Sequence, residues 1–303
     1  MKNRIFLGSI LVTFLSLSFY LTGTARLENA SLKIYGSKDA HVTTKSSLDH
    51  KSAANLTPDA LKKTKNSNSA LAKVIIKNVD DATAPIEVAT ENLKQDTQYA
   101  NIKNTDQAQD VSSVLKLFIL IAYEKEGKVS QTFKVTSDEI TENDRSLQAG
   151  TAYSGAFLKD LMIRQNNNTA ANILLKSLGA KKVNQVAHSV GATHTKITGK
   201  FGDEKVGVTT AADLELVMKK LYQGKIKDTN SDNQILGQLL NFPDKGLASQ
   251  VSGTVYKISD DHASVALVQS SRGQVYVMSG ISENNSFNFE KLGSAINTWY
   301  EKN

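Results

Sequence analysis

The 303-residue chain contains no cysteine and only three prolines. Without cysteine the chain can form no disulfide bond and can carry no lipoprotein anchor, so its hydrophobic core must stabilise the fold. Histidine is also scarce, and the spacing of the histidines does not match that of metal ligands: they are His41, His50, His188, His194 and His262. The sequence therefore predicts no metal site and gives no indication of a cofactor.

An uncharged apolar run lies close to the start of the chain. Met1–Arg4 is short and basic, Ile5–Thr22 carries no charge, and Gly23–Ala25 offers small residues to a signal peptidase. Residues 1–25 are therefore predicted to be a signal peptide or an N-terminal membrane anchor. We expect the protein to be secreted or held at the outer face of the cytoplasmic membrane. Its cysteine-free composition, rich in Lys and Asn, is typical of a Gram-positive cell surface.

The net charge of +6 is unevenly distributed along the chain. Residues 1–80 carry twelve Lys or Arg and five Asp or Glu, a charge of +7, so residues 81–303 carry −1. Residues 26–68 are polar and aperiodic, which predicts a flexible basic tether. Such a tether can contact an anionic membrane or wall polymer, or can serve as a solvated linker. Nucleic-acid binding is not expected, because there is no basic face studded with aromatic residues.

Apolar periodicity places the folded domain at residues 69–303. A helix over 69–80 and a β-hairpin over 85–102 open the domain, and helical segments fill its middle. Three β-rich runs and a last helix close it: Gln250–Ile258, Ala263–Ser270, Gln274–Ile281 and Phe289–Trp299. This order predicts an α+β fold with one antiparallel sheet, made of the hairpin and three C-terminal strands. Helices flank this sheet and also form an all-helical subdomain.

A serine and a lysine one helical turn apart are the strongest chemical signal in the chain. Ser113 and Lys116 open an apolar helical segment, so the hydroxyl and the amine are expected on one helix face. An amine in that position can accept the hydroxyl proton and turn a weak alcohol into a nucleophile. The pair is also compatible with an ordinary solvated helix turn, so the surrounding sequence decides between the two interpretations.

Two further segments give the pair its context. Residues 166–172 read Asn-Asn-Asn-Thr-Ala-Ala-Asn and are followed by aliphatic residues, and residues 250–254 read Gln-Val-Ser-Gly-Thr. With Ser113 and Lys116, these segments resemble the Ser-x-x-Lys, Ser-Asp-Asn and Lys-Thr/Ser-Gly motifs of the class A β-lactamase and penicillin-binding serine hydrolase family. The resemblance covers residues 69–303 and implies a β-lactamase/transpeptidase-like fold.

The resemblance also implies roles for particular residues. Ser113 and Lys116 would be the catalytic nucleophile and its general base. The substrate-binding residues would be Asn166, Asn168, Ser252, Gly253 and Tyr256, with a backbone amide near Tyr256 completing an oxyanion hole. The substrate would be a β-lactam or a D-Ala-D-Ala-like peptidoglycan stem peptide, hydrolysed through an acyl-serine by a protein that we expect to be monomeric.

Three departures from the family pattern affect its chemistry. Asn166 stands where the family has a serine that relays a proton, and an amide does not relay protons in this way. Val251 stands where the family has a lysine that helps to bind the substrate carboxylate. The family glutamate that activates water has no counterpart motif between Asn168 and Thr209, where Asp203 and Glu204 are expected to be solvated loop charges.

Two functions are therefore compatible with the sequence. The first is an exported serine hydrolase that forms an acyl-enzyme at Ser113 and releases it slowly. The second is a catalytically impaired protein of the same fold, which uses its cleft or another face to bind a cell-wall component or a partner at the cell surface.

Overall fold

Strands occupy both ends of the described chain, and helices fill its middle. The computed structural model describes residues 60–79, 84–127, 131–141, 144–244, 246–284 and 286–303. The strands are β1 (Lys62–Lys63), β2 (Ile86–Asn92), β3 (Tyr99–Lys103), β4 (Gln109–Val111), β5 (Thr132–Lys134), β6 (Ala152–Ser154), β7 (Lys196–Ile197), β8 (Gly207–Thr209), β9 (Thr254–Ser259), β10 (Ala263–Gln269) and β11 (Val275–Ser282). The helices are α1 (Ser69–Val79), α2 (Lys116–Glu126), α3 (Gly155–Arg164), α4 (Asn168–Leu178), α5 (Ala180–Ser189), α6 (Ala211–Tyr222), α7 (Thr229–Leu239) and α8 (Phe289–Tyr300).

The main sheet joins the two ends of the domain. Its six strands follow the order β1-β3-β2-β11-β10-β9, and every neighbouring pair is antiparallel. The hairpin β2–β3 meets the C-terminal strands where Ala89 of β2 faces Ser279 of β11. This arrangement confirms the predicted α+β fold, with a sheet built from an N-terminal hairpin and three C-terminal strands.

Helices cover both faces of the sheet, which explains why its central strands are apolar along their whole length. Val265 and Leu267 of β10 belong to the core on the side of α2 and α6. Ala266 and Val268 alternate with them and pack on the side of α1 and α8. Successive side chains of a strand point to opposite faces, so a strand buried on both faces has no polar side.

Helix α2 runs through the centre of the helical side of the domain. Its residues 117–123 are fully buried, and all of them belong to one core cluster. A helix that is apolar all round is stable only inside a core. The first residue of α2 is Lys116, so burial of the apolar residues that follow fixes the position of this lysine.

The folded part of the chain starts before the predicted boundary at residue 68. Lys62 and Lys63 pair with Lys103 and Ile102 at the edge of the main sheet. The buried Ser67 hydroxyl donates a hydrogen bond to the carbonyl oxygen of Asn101. Residues 1–25 and 26–59, predicted as a signal or anchor and as most of the tether, lie outside the described residues. Among the residues that are described, no helix has the length and apolarity needed to cross a membrane.

A buried acidic pair lies between α6 and the sheet. The carboxyl group of Glu215 is buried next to Glu91, and the amine of Lys219 lies 2.7 Å from both carboxylate oxygens of Glu91. Burial and then the negative charge of Glu91 raise the pKa of Glu215 above its ordinary value of 4.5. The folded state therefore keeps a proton on Glu215 at pH values where the unfolded chain has released it.

Glu215→Gln is expected to raise the free energy of unfolding by about 2 kcal/mol at pH 8, with little change at pH 5. Stability due to a carboxyl group with a raised pKa is full below the ordinary pKa and is lost as the pH rises through the folded pKa. Glutamine keeps a hydrogen-bond donor toward Glu91 and has no proton to lose. Urea denaturation at the two pH values measures the difference.

Glu283→Gln is the matched control, because Glu283 is exposed and the chemical change is the same. We expect this variant to stay within about 0.5 kcal/mol of the parent protein at both pH values. Equal stabilisation of Glu215→Gln at pH 5 and pH 8 would show that Glu215 does not retain a proton in the folded state.

Candidate active site

Ser113 lies in a tight turn that leads directly into α2. Ser113–Leu115 form a single 3₁₀ turn, and the α-helix begins at Lys116. Ser113 is 7% exposed, whereas Lys116 is fully buried. The structure thus places the predicted nucleophile and the predicted base one turn apart at the start of a buried helix, with a narrow opening to solvent at the serine.

The amine of Lys116 is held by the loop that precedes α4. Its Nζ atom donates to the carbonyl oxygen of Asn166 at 2.7 Å, to Asn166 Oδ1 at 2.5 Å and to Asn168 Oδ1 at 2.8 Å. Within the described part of the chain it makes no hydrogen bond with the Ser113 hydroxyl. Three acceptors use all three hydrogens of an ammonium group, so loss of one proton frees a lone pair on this nitrogen.

Burial gives Lys116 the protonation behaviour of a base that works near neutral pH. Removal from water lowers the pKa of Lys116 from its ordinary 10.5 to about 7, while the negative charge of Asp260 opposes this change. The Nζ atom also lies 5.4 Å from the centre of the Phe201 ring. At neutral pH a large fraction of Lys116 is therefore an uncharged amine, the form that accepts a proton.

Phe201 is part of this site and was not predicted from the sequence. Its backbone N–H donates to Asn172 Oδ1 at 2.8 Å, and its carbonyl oxygen accepts from Asn172 Nδ2 at 3.0 Å. These two bonds fix the loop against α4 and bury the Phe201 ring beside Lys116. A lone aromatic residue in a loop rich in Gly and Lys was the available signal. Asp203 and Glu204, which follow Phe201, are exposed, as the sequence predicted.

The three consecutive asparagines have three different roles. Asn166 adopts a backbone φ of 50°, a left-handed conformation that asparagine tolerates better than most residues. Asn167 caps α4, because its Oδ1 accepts from the N–H of Ala170 at 2.7 Å. Asn168 is the first residue of α4 and reaches Lys116. The motif therefore positions the lysine through Asn166 and Asn168, and starts the helix through Asn167.

Asp260 connects the end of β9 to the Ser113 turn and was also not predicted. Its Oδ2 atom accepts from the backbone N–H groups of Ser112 at 3.1 Å and Val114 at 3.2 Å, one on each side of Ser113. Its Oδ1 atom accepts from the N–H groups of His262 and Ala263. Burial raises the pKa of Asp260, and the N–H groups partly offset this rise. The Asp-Asp-His turn between two β-rich runs was the signal that could have revealed it.

The predicted third motif lies before the start of β9, at the end of the strand opposite to the one that contacts the Ser113 turn. Strand β9 begins at Thr254, so Ser252 and Gly253 precede it, whereas Asp260 at its other end contacts the Ser113 turn. At about 3.3 Å per residue, roughly 20 Å of extended chain separates Gly253 from Asp260. Ser252 and Gly253 are therefore not brought to the site, and Ser252 lines a small surface pocket beside Arg272.

Val251 and Tyr256 also lie away from the Ser113 turn. Val251 packs against the core on the side of α1 and α8, and Tyr256 packs against the opposite core from the middle of β9. Roughly 13 Å of strand separates Tyr256 from Asp260. The residue that contacts the Ser113 turn is Asp260, which directly follows β9, and not Tyr256 in the middle of the strand.

A cleft with a volume of about 1040 Å³ borders the site on the side of α4. Its walls are α4, the loop that ends at Thr141, and the Phe201 loop, and they include Asn168, Lys176 and Lys200. We call it the α4 cleft. Asn168 and Phe201 line this cleft and also contact Lys116, so these two residues separate the cleft from the fully buried lysine. Within the described residues, no cluster of His, Asp and Glu suits a metal ion.

Comparison with known sequence families decides the relationship. A profile described as "Beta-lactamase enzyme family" matches residues 67–299, which is most of the domain. The chain belongs to the β-lactamase enzyme family. No curated protein matches the chain. Membership of this family agrees with the resemblance carried by Ser113, Lys116 and residues 166–172, and it supports a serine hydrolase with β-lactams as the family substrate.

Solved structures share the fold at low sequence identity. PBP-A has 21% identity and a TM-score of 0.69, over 77% of this chain and 96% of that chain. A PBP-A variant solved as an acyl-enzyme complex with penicillin G has 21% identity and a TM-score of 0.67, over 77% and 95%. A class A β-lactamase from Mycobacterium abscessus has 17% identity and a TM-score of 0.63, over 77% and 97%. These three structures are similar to the chain in fold.

Proposed function

We propose that this protein is an exported serine hydrolase of the β-lactamase family that forms an acyl-enzyme at Ser113 and releases it slowly. The observation that carries the proposal is Lys116: it follows Ser113 by one turn, is fully buried, and has a pKa of about 7. A lysine in an ordinary solvated turn would be charged at neutral pH. The acyl donor is a β-lactam or a D-Ala-D-Ala-like stem peptide.

Lys116 handles the proton in both halves of the acylation step. Ser113 Oγ attacks the carbonyl carbon and forms an ester bond, while the serine proton passes to the uncharged amine of Lys116. The C–N bond of the donor then breaks, and the leaving nitrogen needs a proton. Asn166 has no ionisable hydrogen to give, so the ammonium of Lys116 returns the proton. The N-terminal turn of α2 supplies partial positive charge to the developing oxyanion.

Release of the acyl group is expected to be slow. Hydrolysis of the ester needs a base that activates water, and the carboxylates of the Phe201 loop, Asp203 and Glu204, are exposed. Phe201 places an apolar ring beside Lys116, and Asp260 is occupied by four backbone N–H groups. An acyl-enzyme complex with penicillin G has been solved for the L158E variant of PBP-A, a protein of similar fold.

A specific observation favours a second candidate function. The Ser113 turn is almost closed to solvent and is joined to β9 by Asp260, while the α4 cleft is lined by Asn168 and Phe201, which also contact Lys116. A catalytically impaired protein would use such a cleft to bind a cell-wall component or a partner. The two functions differ in one measurable property, which is covalent attachment to Ser113.

The location follows from the start of the sequence. We propose secretion, or anchoring at the outer face of the cytoplasmic membrane of a Gram-positive cell, because Ile5–Thr22 is uncharged and follows a basic start. The basic tether would then contact the anionic membrane or wall polymer. Cell fractionation of the full chain tests this location, and recovery in the cytosol would contradict it.

Benzylpenicillin is expected to add its own mass to the purified domain, and Ser113→Ala is expected to show no adduct. The β-lactam ring opens without losing atoms, so the acyl-enzyme retains the whole drug. Intact-mass spectrometry over time measures both formation and loss of the adduct, and we expect loss to be slower than formation.

Ser112→Ala is the matched control, because it removes a hydroxyl one residue away and leaves the backbone N–H that Asp260 accepts. It should retain the adduct. Rapid drug turnover without a lasting adduct would contradict slow release. No adduct and no turnover with the parent protein would remove the acyl-serine function and favour the binding protein.

A further inference from the structure

Asp260 places a negative charge next to the nucleophile. Its Oδ2 atom touches the N–H groups of Ser112 and Val114, so the carboxylate lies against the backbone that carries Ser113. Asp260 is half-buried, whereas Lys116 is fully buried. Nothing in the acylation step described above uses this carboxylate.

Burial raises the pKa of Asp260, but backbone N–H dipoles favour its charged form and no cation in the described part of the chain cancels that charge. Four backbone N–H groups donate to its two oxygens. Within the described residues it forms no salt bridge with Lys, Arg or His, and the side chain of His262 turns to the carbonyl oxygen of Ser282. The negative charge of Asp260 raises the pKa of Lys116. The lysine is nevertheless hydrogen-bonded to Asn166 and Asn168 and is uncharged in its reactive form.

We propose that, among β-lactam and peptide donors, Asp260 makes Ser113 react faster with those that are uncharged or cationic beside the scissile carbonyl than with those that carry a carboxylate there, such as benzylpenicillin or a D-Ala-D-Ala peptide. This inference rests on the proposed acyl-serine function. An anionic donor must bring its charge close to Asp260, and desolvation during binding strengthens the repulsion. Two unit charges roughly 6 Å apart in a partly buried site correspond to a rate difference of about tenfold to a hundredfold.

Benzylpenicillin and its methyl ester provide a matched pair of donors that differ in one charge. In each case Ser113 Oγ forms an ester with the β-lactam carbonyl, the ring C–N bond breaks, and the ring nitrogen takes up the proton that Lys116 received. Intact-mass spectrometry gives the rate of adduct formation for both compounds. With the parent protein we expect the methyl ester to react at least about tenfold faster, and faster reaction of the free acid would overturn the proposal.

Asp260→Asn tests whether the carboxylate causes the difference. The ratio of the two rates, ester over acid, is expected to fall at least about fivefold in this variant, because the repulsion is gone. The ratio is the proper readout, since loss of the Asp260 charge also lowers the pKa of Lys116 and affects both donors alike. Asp261→Asn, the exposed neighbour on the same turn, removes a charge of the same kind and should keep the parent ratio.

Salt dependence gives a second measurement that needs no variant. Raising NaCl from 50 mM to 500 mM shortens the screening length from roughly 14 Å to about 4 Å. In the parent protein the ratio of the ester rate to the acid rate is therefore expected to fall. An unchanged ratio, in salt and in Asp260→Asn, would overturn the selectivity while leaving the acyl-serine function intact. No adduct from either donor would overturn the acyl-serine function, and the selectivity with it.

Discussion

Lys116→Met is expected to slow adduct formation at Ser113 by about 10²–10⁴-fold at pH 8. Methionine fills a similar volume but accepts no proton, so the serine must lose its proton to water. In the parent protein the rate should rise with pH and level off above about 7, because the amine is reactive only after it has lost its proton. The variant should lack this rise. The measurement is the rate of mass increase with benzylpenicillin between pH 5.5 and 9.

Two controls separate chemistry from damage to the fold. Lys73→Met makes the same change on an exposed position of α1 and should keep the parent rate and pH profile. Loss of the lysine amine leaves the oxygens of Asn166 and Asn168 without their hydrogen-bond donor, which can destabilise the variant. Thermal unfolding of Lys116→Met therefore checks that the variant is folded. A folded Lys116→Met protein with an undiminished rate would assign the base to another residue.

The fold could be predicted from the sequence because its signals are local and repeated. Residues 117–123 are apolar all round, which marks a central helix, and the apolar β10 marks a strand with both faces covered. Lys62 and Lys63 gave no such signal. Their edge strand is held by backbone pairing with Ile102 and Lys103, and pairing of this kind leaves no pattern in side-chain polarity.

The candidate site was predictable only where its residues are close in sequence. Ser113 and Lys116 share one turn, and Asn166 and Asn168 open one helix, so spacing predicted both pairs. Ser252 and Gly253 match a motif in sequence, but register and strand limits decide which end of β9 reaches Ser113, and these two residues precede the strand. Asp260 lies 147 positions after Ser113 in the sequence, so no local pattern connects the two residues.

The electrostatic character of the site depends on one contact that the sequence does not display. Burial is the largest cause of the lowered pKa of Lys116, and the ring of Phe201, a residue that also lines the α4 cleft, lies 5.4 Å from its Nζ atom. Asn172 holds that loop through two hydrogen bonds to the backbone of Phe201. The base is therefore tuned by a ring and by an amide that themselves take no part in proton transfer.

Phe201→Ala is expected to raise the pKa of Lys116 from about 7 toward its ordinary 10.5, and so to reduce adduct formation at pH 7 by about tenfold or more. Loss of the ring admits water to the amine and stabilises its charged form. The ring also attracts the ammonium, a contribution of about 0.5–2 kcal/mol that acts in the opposite direction. Burial has the larger effect, because the net change in the pKa of Lys116 is downward. The rate should recover as the pH is raised to 9–10, which a merely unfolded variant would not show.

Phe201→Leu and Asn172→Ala identify the cause of the shift. Leucine keeps an apolar cover without an aromatic face, so the midpoint of the pH profile should stay within about one unit of the parent value. Asn172→Ala leaves the ring in the chain but removes the two bonds that hold its loop, so its midpoint should move upward with that of Phe201→Ala. If all three variants keep the midpoint near 7, the Phe201 loop does not tune Lys116, and burial by α2 and the Asn166 loop suffices.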